Sequence, residues 1–96
     1  RKLPIELEVD TLEQIFEGLK NNVNGFLLDN MHPEQIRESL DMIRYFPGGN
    51  RSFVEASGGI TLGNIHGYLN TNVNAISVGA LTHQINSKDI RLEFVR

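Results

Sequence analysis

The sequence predicts an α/β fold in which consecutive parallel strands with intervening helices form part of a βα barrel. Three observations lead there. Short strand-like segments recur every ~20–27 residues along the 96-residue chain. A stripe of apolar residues at helical spacing lies between successive segments. Each strand segment also has one apolar and one polar face, whereas strands covered on both sides read as nearly continuous apolar runs.

The elements follow in order. Ile5-Glu6-Leu7-Glu8-Val9 alternates with period two and reads as a strand. Thr11 and Gln14 have the spacing of a capping box, and Leu12, Ile15, Phe16 and Leu19 place a helix over about 11–20. Asn21 and Asn22 can end it, because Asn tolerates the left-handed conformation. Gly25-Phe26-Leu27-Leu28-Asp29 is a second strand that stops on a carboxylate. Pro33 suits the first turn of the next helix, Ile36, Leu40 and Ile43 form its stripe, and Pro47-Gly48-Gly49-Asn50 stops it. The third unit is a Phe53–Ser57 strand, a Gly58-Gly59 turn, and a helix capped near Thr61 with Leu62, Ile65 and Leu69 on one side. Ala75–Gly79 is the fourth strand. Leu81-Thr82-His83-Gln84 reads as a short helical turn, and Ile90–Val95 as a final strand or edge segment. The matching Asn22-Val23-Asn24-Gly25 and Asn72-Val73-Asn74-Ala75 mark equivalent helix-to-strand joints.

Composition narrows the function. Nine Lys or Arg against twelve Asp or Glu give a net charge of −3, which argues against a general nucleic-acid surface. The absence of cysteine excludes disulfides, thiolate catalysis and thiolate metal sites. No run reaches the length of a membrane span and no signal-peptide pattern opens the chain, so a cytoplasmic protein without membrane contact is expected.

The polar faces carry the functional signal. Glu8, Asp29, Ser57 with Gly58-Gly59, and Gly79 all stand at strand C-termini, where βα barrels place their active sites. Taken singly, Asp29 is more often a helix cap, Gly-Gly an ordinary turn and His83 a surface residue. Four strand ends that agree weigh more than any one of them. Like charges at Glu8 and Asp29 require compensation by Mg²⁺ or by basic side chains. Yet Lys20, Arg37, Arg44 and Arg51 fall on helices or on loops at the opposite end. Gly58-Gly59 ahead of Thr61, and Gly79 ahead of Leu81, offer unobstructed backbone N–H groups to a phosphate, with His83 near enough in sequence to join them. His32 and His66 have no partner at metal-ligand spacing.

Read together, Glu6-Leu7-Glu8-Val9, Leu27-Leu28-Asp29-Asn30, Glu55-Ala56-Ser57-Gly58-Gly59-Ile60-Thr61 and Ser77-Val78-Gly79-Ala80-Leu81-Thr82-His83 have a specific order and spacing. From about Ile5 to Phe94 the chain resembles the C-terminal part of the quinolinate phosphoribosyltransferases. The resemblance implies an incomplete TIM-like barrel, of which residues 1–96 are a C-terminal fragment, with the N-terminal domain and early barrel strands outside this chain. It implies transfer of phosphoribosyl from phosphoribosyl pyrophosphate to quinolinate with loss of CO₂, using Mg²⁺, in an enzyme that works as a homodimer or hexamer. Carried over by position, Glu8 and Asp29 correspond to the acidic pair facing the ribose hydroxyls and the metal–pyrophosphate. Ser57, Gly58 and Gly59 correspond to the phosphate turn, Gly79 to the second phosphate-site backbone and His83 to its histidine. Glu6 and Glu55 then support the inner wall, and Asn30 holds Asp29 while capping the next helix. Asn72 and Asn74 replace the Gly and Asp usual in that family. A phosphate-binding relative from molybdenum-uptake operons shares the general pattern, and a non-catalytic βα scaffold would leave the polar faces merely solvated.

Overall fold

The computed structural model describes residues 6–79, 81–85 and 92–95. Strands β1 (Leu7–Val9), β2 (Gly25–Asp29), β3 (Phe53–Ser57), β4 (Ala75–Val78), β5 (Leu81–Ile85) and β6 (Leu92–Val95) form one sheet in sequence order. The first four are parallel, and β5 and β6 continue the sheet antiparallel. Helices α1 (Leu12–Lys20), α2 (Pro33–Tyr45) and α3 (His66–Leu69) connect the parallel strands. The order of β1 to β4 with a helix between each pair therefore follows the predicted pattern, while the chain leaves β4 by a hairpin.

Helix α1 begins as its spacing predicts. Gln14 N donates to Thr11 Oγ1 at 3.2 Å, and Gln14 Oε1 accepts from the N–H groups of Asp10 and Thr11. Its Ile15 and Leu19 are buried against the sheet. Gly18 lets the helix come close, since a Cβ there would lie 2.9 Å from Leu7 and 2.9 Å from Phe26. Leu12 and Phe16 are exposed. Phe16 meets Phe46, at the end of α2, edge-to-face at 6.2 Å and carries the Lys20 ammonium 4.9 Å over its ring.

Helix α2 buries Ile36, Ser39, Leu40 and Ile43. Ser39 satisfies its hydroxyl within the helix, donating to Gln35 O at 2.8 Å. Arg44 Nη1 donates to Ser52 O at 2.9 Å, tying the helix end to the start of β3. Phe26, Leu28, Val54, Ala56 and Ile76 complete a core on the helix-covered face of the sheet. The two Asn-Val-Asn joints are equivalent in geometry. Asn22 (φ 64) and Asn72 (φ 69) both adopt the left-handed conformation that ends a helix. Beyond the second joint, Asn74 brackets Val54, donating from its backbone N and accepting at Oδ1, each at 2.7 Å.

Two predicted elements are different. The helix expected from Thr61 is a series of turns ending in the four-residue α3. Gly63 and Gly67 weaken a helix there, and the Asn64 side chain bonds the backbone in its place. Leu62 is 72 % exposed instead of belonging to the stripe, and Tyr68 is buried with Ile65. The helical turn expected at 81–84 is strand β5. Val78 pairs with Leu81, so the chain reverses sharply through Gly79, whose φ of 62 suits the first position of a tight hairpin. Four residues are too few for periodicity to separate helix from strand. Ile90 and Arg91 lie outside the described residues, and Leu92–Val95 is indeed a strand.

Candidate active site

Parallel pairing brings the predicted acids to one end of the sheet. Register sets Glu8 beside Leu27 and Asp29 beside Ser57, so the C-terminal ends of β1, β2 and β3 lie in a row. Glu8 and Asp29 line a single cleft of about 300 Å³ with Val9, Asp10 and Gln14. No Lys or Arg is among those five lining residues. Sequence reasoning did not find Gln14 as a cleft residue, because its capping role already accounted for it. Its Oε1 is occupied by the two backbone N–H groups of the cap.

Beside the acids, the ends of β2 and β3 are tightly joined. Asn30 N donates to Ser57 O at 2.8 Å. Ser57 Oγ stands 3.5 Å from Asp29 Oδ1, at the outer limit of a hydrogen bond. Asn30 has φ 58, and Gly58 and Gly59 follow Ser57 with φ 84 and 74. Gly58 packs directly on the neighbouring strand end: a Cβ would lie 2.9 Å from both Asn30 N and Asp29 Oδ1. Among the described residues, the N–H groups of Gly58, Gly59 and Ile60 donate to no turn, loop or cap acceptor. Successive backbone N–H groups in such a turn form a concavity suited to an anion.

Because α3 is only four residues long and starts at His66, the turn itself supplies these donors; the helix N-terminus expected near Thr61 does not exist. Likewise Gly79, the residue after β4, leads through the hairpin reversal into strand β5 and not into the expected helical turn. His83 lies in β5 opposite Ile76, level with the middle of β4. Asn64 is the other residue that sequence reasoning missed. Its Oδ1 accepts from Thr61 N at 2.8 Å and its Nδ2 donates to Gly59 O at 2.9 Å. The Thr61-x-x-Asn64 spacing was the available signal, a side chain closing back on a turn.

Below the mouth, Glu6 and Glu55 meet on the polar face. Glu6 Oε2 is buried without a hydrogen-bond partner among the described residues. Burial, then the Glu55 charge and a hydrogen bond with Glu55, raise the Glu6 pKa from 4.5 to about 7. Ser77 Oγ donates to Glu55 Oε2. Among the described residues, no group of three or more His, Asp or Glu is disposed to hold a metal ion. No described helix is long and apolar enough to cross a membrane.

Comparison with known proteins adds the context. The family described as "Quinolinate phosphoribosyl transferase, C-terminal domain" matches residues 1–93. The chain is 42 % identical over 94 residues to a probable nicotinate-nucleotide pyrophosphorylase (carboxylating) of Methanocaldococcus jannaschii, covering 96 % of this chain and 33 % of that protein. It is 32 % identical over 92 residues to the nicotinate-nucleotide pyrophosphorylase (carboxylating) of Homo sapiens, covering 95 % of this chain and 30 % of that protein. A crystal structure of nicotinate-nucleotide pyrophosphorylase from Ehrlichia chaffeensis aligns with a TM-score of 0.67 at 32 % identity, over 81 % of this chain and 27 % of that one. The chain thus spans about a third of the length of the curated relatives it matches.

Proposed function

The chain belongs to the family of quinolinate phosphoribosyl transferase C-terminal domains, and from that premise we propose that the protein carrying it makes nicotinate mononucleotide from quinolinate and phosphoribosyl pyrophosphate. Residues 1–96 would be the C-terminal part of its barrel domain, and NAD synthesis in the cytoplasm its setting. The observation that carries the reading is the shared cleft of Glu8 and Asp29, adjoined at Asp29 by the Ser57-Gly58-Gly59 turn.

The chemistry matches those groups. The bond from the anomeric carbon to pyrophosphate breaks as the bond to the pyridine nitrogen forms, and positive charge develops on the sugar; the bond from the adjacent ring carbon to its carboxylate then breaks, releasing CO₂, and that carbon takes a proton from water. Carboxylates at Glu8 and Asp29 stabilise that charge and accept hydrogen bonds from ribose hydroxyls. Backbone N–H groups of Gly58 and Gly59, with the Ser57 hydroxyl, receive a phosphate; Gly79 and His83 are assigned to the same phosphate region. Glu6, Glu55 and Asn30 support the wall and hold Asp29. Glu8 and Asp29 are hard oxygen donors in a cleft with room for water and substrate oxygens, so they fit Mg²⁺. When bound, the ion would neutralise charge on the leaving pyrophosphate.

Quinolinate has two carboxylates and calls for Arg or Lys. Neither is among the described residues that line the cleft, so those cations are proposed to come from the rest of the protein or from a second copy in a homodimer or hexamer. Calorimetric titration of the full-length protein with quinolinate, and with phosphoribosyl pyrophosphate plus Mg²⁺, tests the reading. Saturable binding of both is expected, and binding of neither would overturn it.

A further inference from the structure

We propose that Asn64 is a positioning residue for phosphate binding, its side-chain amide holding the Gly58-Gly59 turn in its receptive shape. This inference rests on the phosphate-turn reading above and adds a residue to it. Its two hydrogen bonds have opposite sense and span the turn. Nδ2 donates to Gly59 O at 2.9 Å, and Oδ1 accepts from Thr61 N at 2.8 Å. Backbone support alone is slight, since Asn64 N donates to Thr61 O at 3.2 Å and α3 starts only at His66. The turn runs through two successive left-handed residues, Gly58 at φ 84 and Gly59 at φ 74, each with many alternatives open to glycine.

Fixing Gly59 O orients the following peptide, and with it the Ile60 N–H. Occupying Thr61 N removes that donor from the anion's set. The side chain therefore selects which N–H groups face a phosphate, leaving those of Gly58, Gly59 and Ile60. Asn64 itself need not touch the substrate. Without its amide the turn must be ordered by the ligand, and affinity falls by the fraction of time the turn is competent.

The test uses the full-length protein and two variants. Asn64→Ala removes both bonds; Asn64→Asp retains the acceptor for Thr61 N but replaces the Gly59 donor by a charge. Inorganic phosphate binding is followed by calorimetry, and the KM of each substrate by initial rates, with melting temperature alongside. For Asn64→Ala the expected result is a roughly tenfold weaker phosphate affinity and a matching rise in the KM of phosphoribosyl pyrophosphate. The KM of quinolinate should stay within about twofold. Asn64→Asp should lose at least as much phosphate affinity while melting near the parent. Unchanged phosphate affinity in both variants, or equal losses for both substrates, would overturn the assignment. A parent that binds inorganic phosphate in an Asn64-dependent way but turns over neither substrate would overturn the proposed reaction and uphold the clamp.

Discussion

Replacing Gly58 by Ala probes the junction on which the candidate site depends. Gly48 is its natural control, because the two residues have nearly the same backbone conformation, φ 84 and φ 85. A left-handed alanine costs roughly 1–2 kcal/mol at either position. Around Gly48 a Cβ meets nothing within 4 Å, so that is the whole cost. At Gly58 the new methyl lies 2.9 Å from Asn30 N and 2.9 Å from Asp29 Oδ1. The first is backbone held by its bond to Ser57 O, and cannot yield without parting β2 from β3. Overpacking of this kind adds about 1–3 kcal/mol. Gly58→Ala is therefore expected to destabilise by about 2–5 kcal/mol and Gly48→Ala by about 1–2 kcal/mol in urea unfolding of the full-length protein. Gly58→Ala should also weaken phosphoribosyl pyrophosphate binding, since the methyl displaces Asp29, whereas Gly48→Ala should not. Equal unfolding costs and equal affinities for the two variants would refute the close approach at Gly58.

Other perturbations have equally definite outcomes. Glu6 binds its proton more tightly folded, with a pKa near 7, than at its ordinary 4.5. Its contribution to stability is thus complete below about pH 4.5 and is lost as the pH rises through 7. Glu6→Gln should flatten the loss of stability between those values, and urea midpoints across that range that fall as steeply as the parent's would contradict this. Asn74→Ala strips Val54 N of its 2.7 Å acceptor and should cost about 1–3 kcal/mol in the same unfolding assay. Glu8→Gln should lower kcat by about 10²–10³ with a much smaller change in KM, measured by steady-state kinetics. The 96-residue chain by itself should show no turnover in the same assay, because no Lys or Arg able to receive quinolinate is among the described residues lining its cleft.

The parts of this fold that are readable in the sequence are those where several turns of one period agree. Helices α1 and α2 each repeat an apolar stripe over two or more turns, with a Thr11–Gln14 cap and a Pro47 stop at the margins. Strands β1 to β4 reveal their polar faces by parity, which is why the acids at the mouth could be aligned before any register was known. Legibility fails where side chains compete with the backbone. Asn64 substitutes its amide for a helical turn, and Gly79 turns a presumed helix start into a hairpin. The contact of Glu6 with Glu55 was also hidden, because it joins residues 49 positions apart that only strand pairing brings together. Gln14 reached the cleft through a cap whose pattern reads as purely structural.

The proposed role of the Glu8–Asp29 cleft and the adjoining glycine turn is phosphoribosyl transfer to quinolinate. Incubating the full-length protein with Mg²⁺, phosphoribosyl pyrophosphate and carboxyl-labelled quinolinate tests it most directly. Equal amounts of nicotinate mononucleotide, pyrophosphate and labelled CO₂ are expected, with release strongly reduced in Glu8→Gln and in Asp29→Asn. Absence of nicotinate mononucleotide from the parent protein, or undiminished release by both variants, would contradict it.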